Sequence, residues 1–464
     1  MVSVIADQKE GNMEKNNITP VQPNSLIEKY NIPSPRYTSY PPVPVWKGIE
    51  QKTWFQLLNQ SLEKDSSLSL YIHVPFCKEL CSFCGCTKVI TKDKSKGREF
   101  LDLIKKEYAL AAQKIHSKPT LKEMHLGGGS PSWLPAEELD ELLSFFLDSE
   151  KFQMNRDQLE LSIELDPRTT TYEQVQILKK HGFNRASLGV QDTHEEVLDV
   201  IRRRQSFEQV KNIFDWLKNA NIKLINIDLI YGLPKQTEQT IIETLENVRT
   251  LGPTRIAFYS YAHIPSMRPA QKIVERHGLP DAELKRKLYE VGKAFLLGHG
   301  YLEIGMDHFA TAEDKLYHAY KTGNLHRNFM GYTVQYSKNL LGFGPSSLSS
   351  IDEAFAQNEK EYKEWKSLIQ DDHSPIIHGH VLSNEEQNKR KMIMDLMCHF
   401  RTEAKIKNLP EWQQKNLAAL STDRLIEIHE NVLIATEMGK TFIRNICMAI
   451  DDTYRPQNRH SSSI

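Results

Sequence analysis

Four of the six cysteines lie in one short stretch, YIHVPFCKELCSFCGCTK (residues 71–88), at Cys77, Cys81, Cys84 and Cys86. The first three have the spacing Cys-x3-Cys-x2-Cys. Thiolates that close can each bind one iron of a [4Fe–4S] cube and leave the fourth iron without a protein ligand. An open coordination position is a place for chemistry, as it is in a catalytic zinc site. Structural zinc is the alternative, but it takes four ligands, commonly as two separated pairs, and Cys86 is awkwardly spaced to close a tetrahedron. A disulfide knot lacks partners, because only Cys398 and Cys447 remain elsewhere. A cube does not need Cys86, which by residue type alone reads as a small buried side chain.

The elements that must position this loop are legible around it. SLYIHVPF runs straight into the first cysteine and reads as a strand. EMHLGG, LELSIELD, RASLGVQ, KLINIDLIYG and RIAFYSYAH are further runs of apolar or β-branched residues closed by Gly, Pro or Asp. Amphipathic helices such as REFLDLIKKEYALAAQKI and FEQVKNIFDWLKNA lie between them. Six such units argue for a parallel sheet with helices outside. Alternation puts Tyr71 and His73 on one face of the first strand, and Glu160, Ser162 and Glu164 on one face of the third. A carboxylate facing inward needs a partner, either an ordinary ion pair or a ligand's ribose or ammonium group. Asp228, inside an apolar strand, carries the same signal. The glycines at 127–129 are by themselves a turn signal, but at a strand end they let backbone approach a ligand closely.

Elsewhere the chain sets limits. Its 464 residues allow two or three domains. Lys plus Arg number 59 and Asp plus Glu 60, which gives no support for a nucleic-acid or membrane surface. No apolar run reaches the roughly 18 residues of a membrane span. The N-terminus lacks a signal peptide's apolar core, and clustered free thiols point to a reducing cytoplasm. An open iron–sulfur cluster would also favour low oxygen. The expected order is a mobile tail over residues 1–23, an arm over 24–67, a barrel over 68–344 and a smaller, mainly helical domain over 345–464. In that last part EEQNKRKMIMDLMCHF is a helix with an apolar stripe of Ile393, Leu396, Met397 and Phe400. The following LIEIHENVLIATEMGKTFIRNICMAI reads as two strands, a turn and a helix, in the manner of a winged helix. The arm's SPRYTSYPP is barred by its prolines from regular helix. It reads equally as a lid or as a structural strap.

The cysteine loop resembles that of the radical S-adenosylmethionine (SAM) enzymes, Cys-x3-Cys-x-aromatic-Cys, with Phe83 in the aromatic place. The form PFCxxxCxFCGC narrows the resemblance to the oxygen-independent coproporphyrinogen III oxidases. RYTSYP (36–41), HLGGGSP (125–131), IELDPR (163–168), LGVQD (188–192), NIDLIYGLPKQT (226–237), YAHIP (261–265), GMDHFA (305–310), LHRNFMGYT (325–333) and RNICM (444–448) extend it to the end of the chain. The resemblance implies an incomplete (β/α)6 radical SAM barrel, whose catalytic loops sit at the C-terminal strand ends. It implies a [4Fe–4S] cluster on Cys77, Cys81 and Cys84 that opens SAM to a 5′-deoxyadenosyl radical, with two SAM molecules per site. Tyr71, Gly128 and Leu348 fall near the first SAM, and Glu164 is a further cofactor-binding candidate. Gly129 and Ser130 fall at the second, and so do Phe83, Gln191, Arg203, Asp228 and Ala262. Cys86, lining the active site, and His73, beside the cluster, are then the candidate catalytic residues. Arg36, Arg268 and Arg327 are candidate clamps for the four carboxylates of coproporphyrinogen III. The expected partners are that substrate, a one-electron donor of flavodoxin type and an electron acceptor, around a monomer. The competing expectation is a haem chaperone related to the family. Those relatives generally lack the fourth cysteine, whereas this chain has Cys86, RYTSYP and RNICM.

Overall fold

The computed structural model describes residues 23–148, 150–335 and 337–453. Apart from Pro23, which opens the helix Pro23–Tyr30, the expected N-terminal tail lies outside the described residues. All six expected strands form: β1 Ser67–Val74, β2 Thr120–Gly128, β3 Glu160–Leu165, β4 Arg185–Gln191, β5 Leu224–Tyr231 and β6 Arg255–Ser260. They pair in parallel in the order of the chain. Helices follow each strand, among them Ser95–Ala112, Tyr172–Lys180 and Phe207–Asn219. The last two start on capping boxes, Thr171 with Gln174 and Ser206 with Gln209, which satisfy free amides at the helix N-terminus. Apolar side chains of strands and helices merge into one large core that includes Trp54, Phe100, Trp133, Phe146 and Phe258.

The sheet runs on past Gly344, where the sequence reading ended the barrel. A seventh parallel strand, β7 Asn339–Phe343, pairs with the other side of β1. Leu348–Ser350, Ala354–Asn358 and Ile376–Val381 then continue it antiparallel. At the far edge, His308–Thr311 lies antiparallel on β6, followed by Tyr301–Gly305. The strand order has two ends, so the barrel stays open. The elements turn helical only at Asn384–His399, whose Ile393, Leu396 and Met397 are fully buried. Phe400 ends that helix at φ 57°. Three short strands, Arg401–Glu403, Ile426–His429 and Val432–Ala435, and the helix Ile443–Met448 complete this part. The arrangement is the expected winged-helix type with one strand more.

The arm is a strap. Tyr37 and Tyr40 are each 1 % exposed and sit in the C-terminal core with Leu26, Leu396 and Ile446. The Tyr37 hydroxyl donates to Asp451 Oδ2 at 2.9 Å. Arg444 Nε donates to the Pro35 carbonyl at 3.1 Å, and Asn445 Nδ2 to the Tyr30 carbonyl at 2.9 Å. RYTSYP and RNICM, at opposite ends of the chain, are thus two sides of one packing interface.

Candidate active site

The cysteine loop leaves β1 at Val74 and is pinched at its base. Phe76–Cys77 pairs in parallel with Val89–Ile90, and Val89 N–H donates to the Pro75 carbonyl at 2.7 Å. The loop is seated on the helix Glu195–Val200 and on the ends of β5 and β6. Ser82 N–H donates to Ile201 O at 2.9 Å, and Phe83 packs on a small apolar cluster with Leu198, Ile230 and Tyr261. Gln271, fully buried, donates to the carbonyls of Phe83 at 3.2 Å and Ala262 at 2.9 Å. It therefore ties the loop to the end of β6.

All six cysteines are free thiols. Cys81 is buried, Cys77 and Cys84 are half-buried, and Cys86 is exposed. A hydrogen bond from Cys86 pulls the Cys84 thiol down to about 6, close to the thiolate a metal needs. Burial pushes Cys77 up to about 12. Burial raises the pKa of Tyr71, and the charges of Glu164 and Cys86 both help to raise it. Among the described residues, no three His, Cys, Asp or Glu side chains gather tightly enough for a single metal ion.

Tyr71 and His73 do share a face. The His73 ring meets the Thr87 carbonyl through Nε2 at 3.0 Å and the Tyr71 hydroxyl through Nδ1 at 3.0 Å. A carbonyl only accepts, so the proton sits on Nε2 and Tyr71 donates to Nδ1. Burial lowers the His73 pKa, which keeps the ring neutral. Tyr71 stacks on His125 and takes the edge of Phe329.

The β2 glycines lie against the protein's own backbone. A Cβ at Gly128, where φ is 117°, would meet Val74 O at 2.8 Å, and one at Gly129 would meet Pro75 O at 2.5 Å. They let the second strand end lie flat on the root of the cysteine loop. Ser130 is buried and opens a hydroxyl chain through Ser132 (3.0 Å) to Thr169 (2.8 Å). Glu164 accepts from Gly128 N–H at 3.3 Å and lies 3.5 Å from His125 Nε2, its side chain 46 % exposed. Glu160, deeper on the same face, is paired with Arg185 at 2.9 Å. Of the inward carboxylates of β3, the ion pair takes Glu160, and Glu164 keeps a solvent-facing side.

In the run 202–204, Arg203 is buried and its two neighbours are exposed. Arg203 donates to the Gly189 carbonyl, lies 3.3 Å from Asp166 and 3.6 Å from Cys81 Sγ, and has a buried Nε without a partner. Gln191 ends β4 at a bulge with φ 73°. A non-glycine residue held there carries backbone strain of the kind that collects at functional sites. Asp228 accepts from Asn226 Nδ2 at 2.7 Å and Ser187 Oγ at 3.0 Å. Burial and the nearby Glu164 still push it up to about 6. Leu348 packs against the cluster of Trp46 and Phe355.

The three candidate clamps differ. Arg36 is engaged by Asp307 and lies over the Tyr259 ring. Arg268 is exposed near Gly85. Arg327 lies 4.5 Å over Tyr332, with Nε and Nη1 buried and unpartnered. Sequence reasoning did not single out Asp166, Arg168, His125 or Gln271. The Asp-Pro-Arg that ends β3 was the available signal for the first two. Gln271 offered none, because its role is set by two distant carbonyls.

A radical SAM superfamily model matches residues 71–248, which span β1 to the helix after β5. The oxygen-independent coproporphyrinogen III oxidase of Escherichia coli is 36% identical over 94% of this chain and 96% of its own. That of Synechocystis is 36% identical over 92% and 94%. A solved structure of the E. coli coproporphyrinogen III oxidase, titled a radical SAM enzyme, superposes with a TM-score of 0.86, covering 93% of this chain and 99% of that one. The chain belongs to the oxygen-independent coproporphyrinogen III oxidase family. A [4Fe–4S] cluster and SAM are the cofactors of a radical SAM enzyme of this family, and the residues present fit them. Four free thiols share one loop, Arg203 Nε is an orphaned buried donor, and Glu164 keeps its open side.

Proposed function

We propose that this chain converts coproporphyrinogen III to protoporphyrinogen IX by oxygen-independent oxidative decarboxylation, a step of haem biosynthesis. The near-full-length agreement with enzymes of that name carries the reading. When bound, the cluster and SAM supply a carbon radical that takes hydrogen from the β-carbon of a propionate, after which CO2 and one electron leave and a vinyl group remains. Cys77, Cys81 and Cys84 hold the cluster. Tyr71, Gly128, Glu164 and Leu348 receive one SAM. Phe83, Gly129, Ser130, Gln191, Arg203, Asp228 and Ala262 receive a second. The neutral, doubly hydrogen-bonded His73 fixes the Tyr71 hydroxyl beside the cluster. Cys86 faces the substrate side.

Of the three candidate clamps, Arg327 has guanidinium donors, Nε and Nη1, that no protein group takes up, and it is the one assigned here to a propionate. The free thiols favour a reducing cytoplasm, where a flavodoxin-type donor and an electron acceptor would serve the reaction. The test is an anaerobic incubation of the reconstituted protein with coproporphyrinogen III, SAM and a reductant, followed by chromatography. Protoporphyrinogen is the expected product. SAM cleavage with the tetracarboxylate left intact contradicts the reading and points to a haem-binding relative.

A further inference from the structure

Two guanidinium groups from different strand ends converge on one cysteine sulfur. Arg168, after β3, brings Nη2 to 3.2 Å from Cys81 Sγ, and Arg203, after β4, brings Nη1 to 3.6 Å. One carboxylate holds both. Asp166 takes Arg168 Nε at 3.0 Å and Nη2 at 2.6 Å, and Arg203 Nη2 at 3.3 Å. Asp166 is fixed in turn: its carboxylate accepts from the Arg168 backbone N–H at 3.0 Å and its own N–H donates to Ser132 Oγ at 3.2 Å. The Arg168 side chain is only 11 % exposed, and its remaining Nη1 lies 3.8 Å from Glu79 on the cysteine loop.

We propose that Arg168, clamped by Asp166, donates an N–H···S hydrogen bond to Cys81 and, with Arg203, sets the reduction potential of the cluster. The inference rests on the reading that Cys77, Cys81 and Cys84 are its ligands. Reduction adds an electron whose charge spreads onto the sulfurs. A donor aimed at a sulfur stabilises the reduced state more than the oxidised one and raises the potential. Asp166 fixes the direction of the guanidinium and offsets part of its charge, so the effect comes from oriented N–H bonds more than from net charge. Arg168 touches neither substrate nor SAM in this account; it is a positioning residue acting through Cys81. A guanidinium suits this task because its planar fork spans a carboxylate and a sulfur at once, which a lysine ammonium cannot.

The test uses the full chain, reconstituted anaerobically without SAM. Iron and sulfide are counted, and the cluster is titrated with reductant under electron paramagnetic resonance. Arg168→Gln is expected to keep the parent's iron content and show a more negative midpoint potential. Arg168→Lys is expected to shift the same way. A structural latch between the barrel and the cysteine loop would change iron retention without moving the midpoint of the clusters that remain. An unmoved midpoint in Arg168→Gln at full iron content overturns the inference, as does an unmoved midpoint in Arg168→Lys should the Gln variant fail to hold iron. A parent chain that takes up no cluster at all overturns the functional reading instead.

Discussion

Cys84 and Cys86 divide two tasks between neighbouring thiols. One is drawn toward thiolate, and the other holds its proton and donates it. Cys81→Ala should therefore lose the cluster and all SAM cleavage. Cys86→Ser should keep about four irons, as a single cube requires, and still lose decarboxylation. Iron analysis beside product chromatography separates them, and iron loss in Cys86→Ser equal to that of Cys81→Ala makes Cys86 a ligand. Asp228 gives a pH-dependent outcome. Its carboxyl stands at about 6 in the fold against 3.8 in the free side chain. Between those values the folded state holds a proton the unfolded chain has released, so stability from this group falls as pH rises through that window and stays low above it. Asp228→Asn removes the penalty. The cluster-free variant should gain on the order of 1–3 kcal/mol over the parent between pH 4 and pH 7, read by urea unfolding at both pH values, while SAM binding weakens. A parent–variant difference that does not change with pH contradicts the assignment. The inward set on β3 was legible because strand alternation is rigid: Glu160, Ser162 and Glu164 all face the interior network. That Glu160 is taken by an ion pair was not, since Arg185 reaches it from the next strand.

At the scale of elements, the strap carries the clearest consequence. Tyr37 fills the C-terminal core and gives a buried carboxylate one of its donors. Tyr37→Phe should destabilise the protein by about 1–3 kcal/mol, measured by denaturant unfolding, with the cluster retained. A chain starting at residue 61 also loses Trp54, Phe55 and Leu58 from the barrel core. It should be insoluble or unfolded. A soluble fragment of this kind with normal product formation would contradict the strap. Composition left lid and strap open, because proline-flanked aromatics suit both; only the packing of residues 36–41 against 444–448 decides. The six β/α strands were readable as long apolar runs with clear stops. β7 was missed for a physical reason: NLLGF is short and follows a hairpin rather than a helix, so the β/α rhythm no longer marks it.

Across the whole molecule, one open barrel carries the four-cysteine loop, Tyr71, Glu164 and Asp228 on strands of a single sheet, and the chain decarboxylates coproporphyrinogen III without oxygen. The described residues contain no helix long and apolar enough to cross a membrane. The Tyr71, Glu164 and Asp228 side chains that would orient SAM come from three strands of one sheet, so their relative placement depends on register across the whole fold. The central claim is tested most directly by following the hydrogen. Coproporphyrinogen III deuterated at the propionate β-carbons is turned over anaerobically, and the 5′-deoxyadenosine formed is weighed by mass spectrometry. The account predicts one deuterium in the 5′-deoxyadenosine for each vinyl group formed. Protoporphyrinogen accompanied by unlabelled 5′-deoxyadenosine would contradict it.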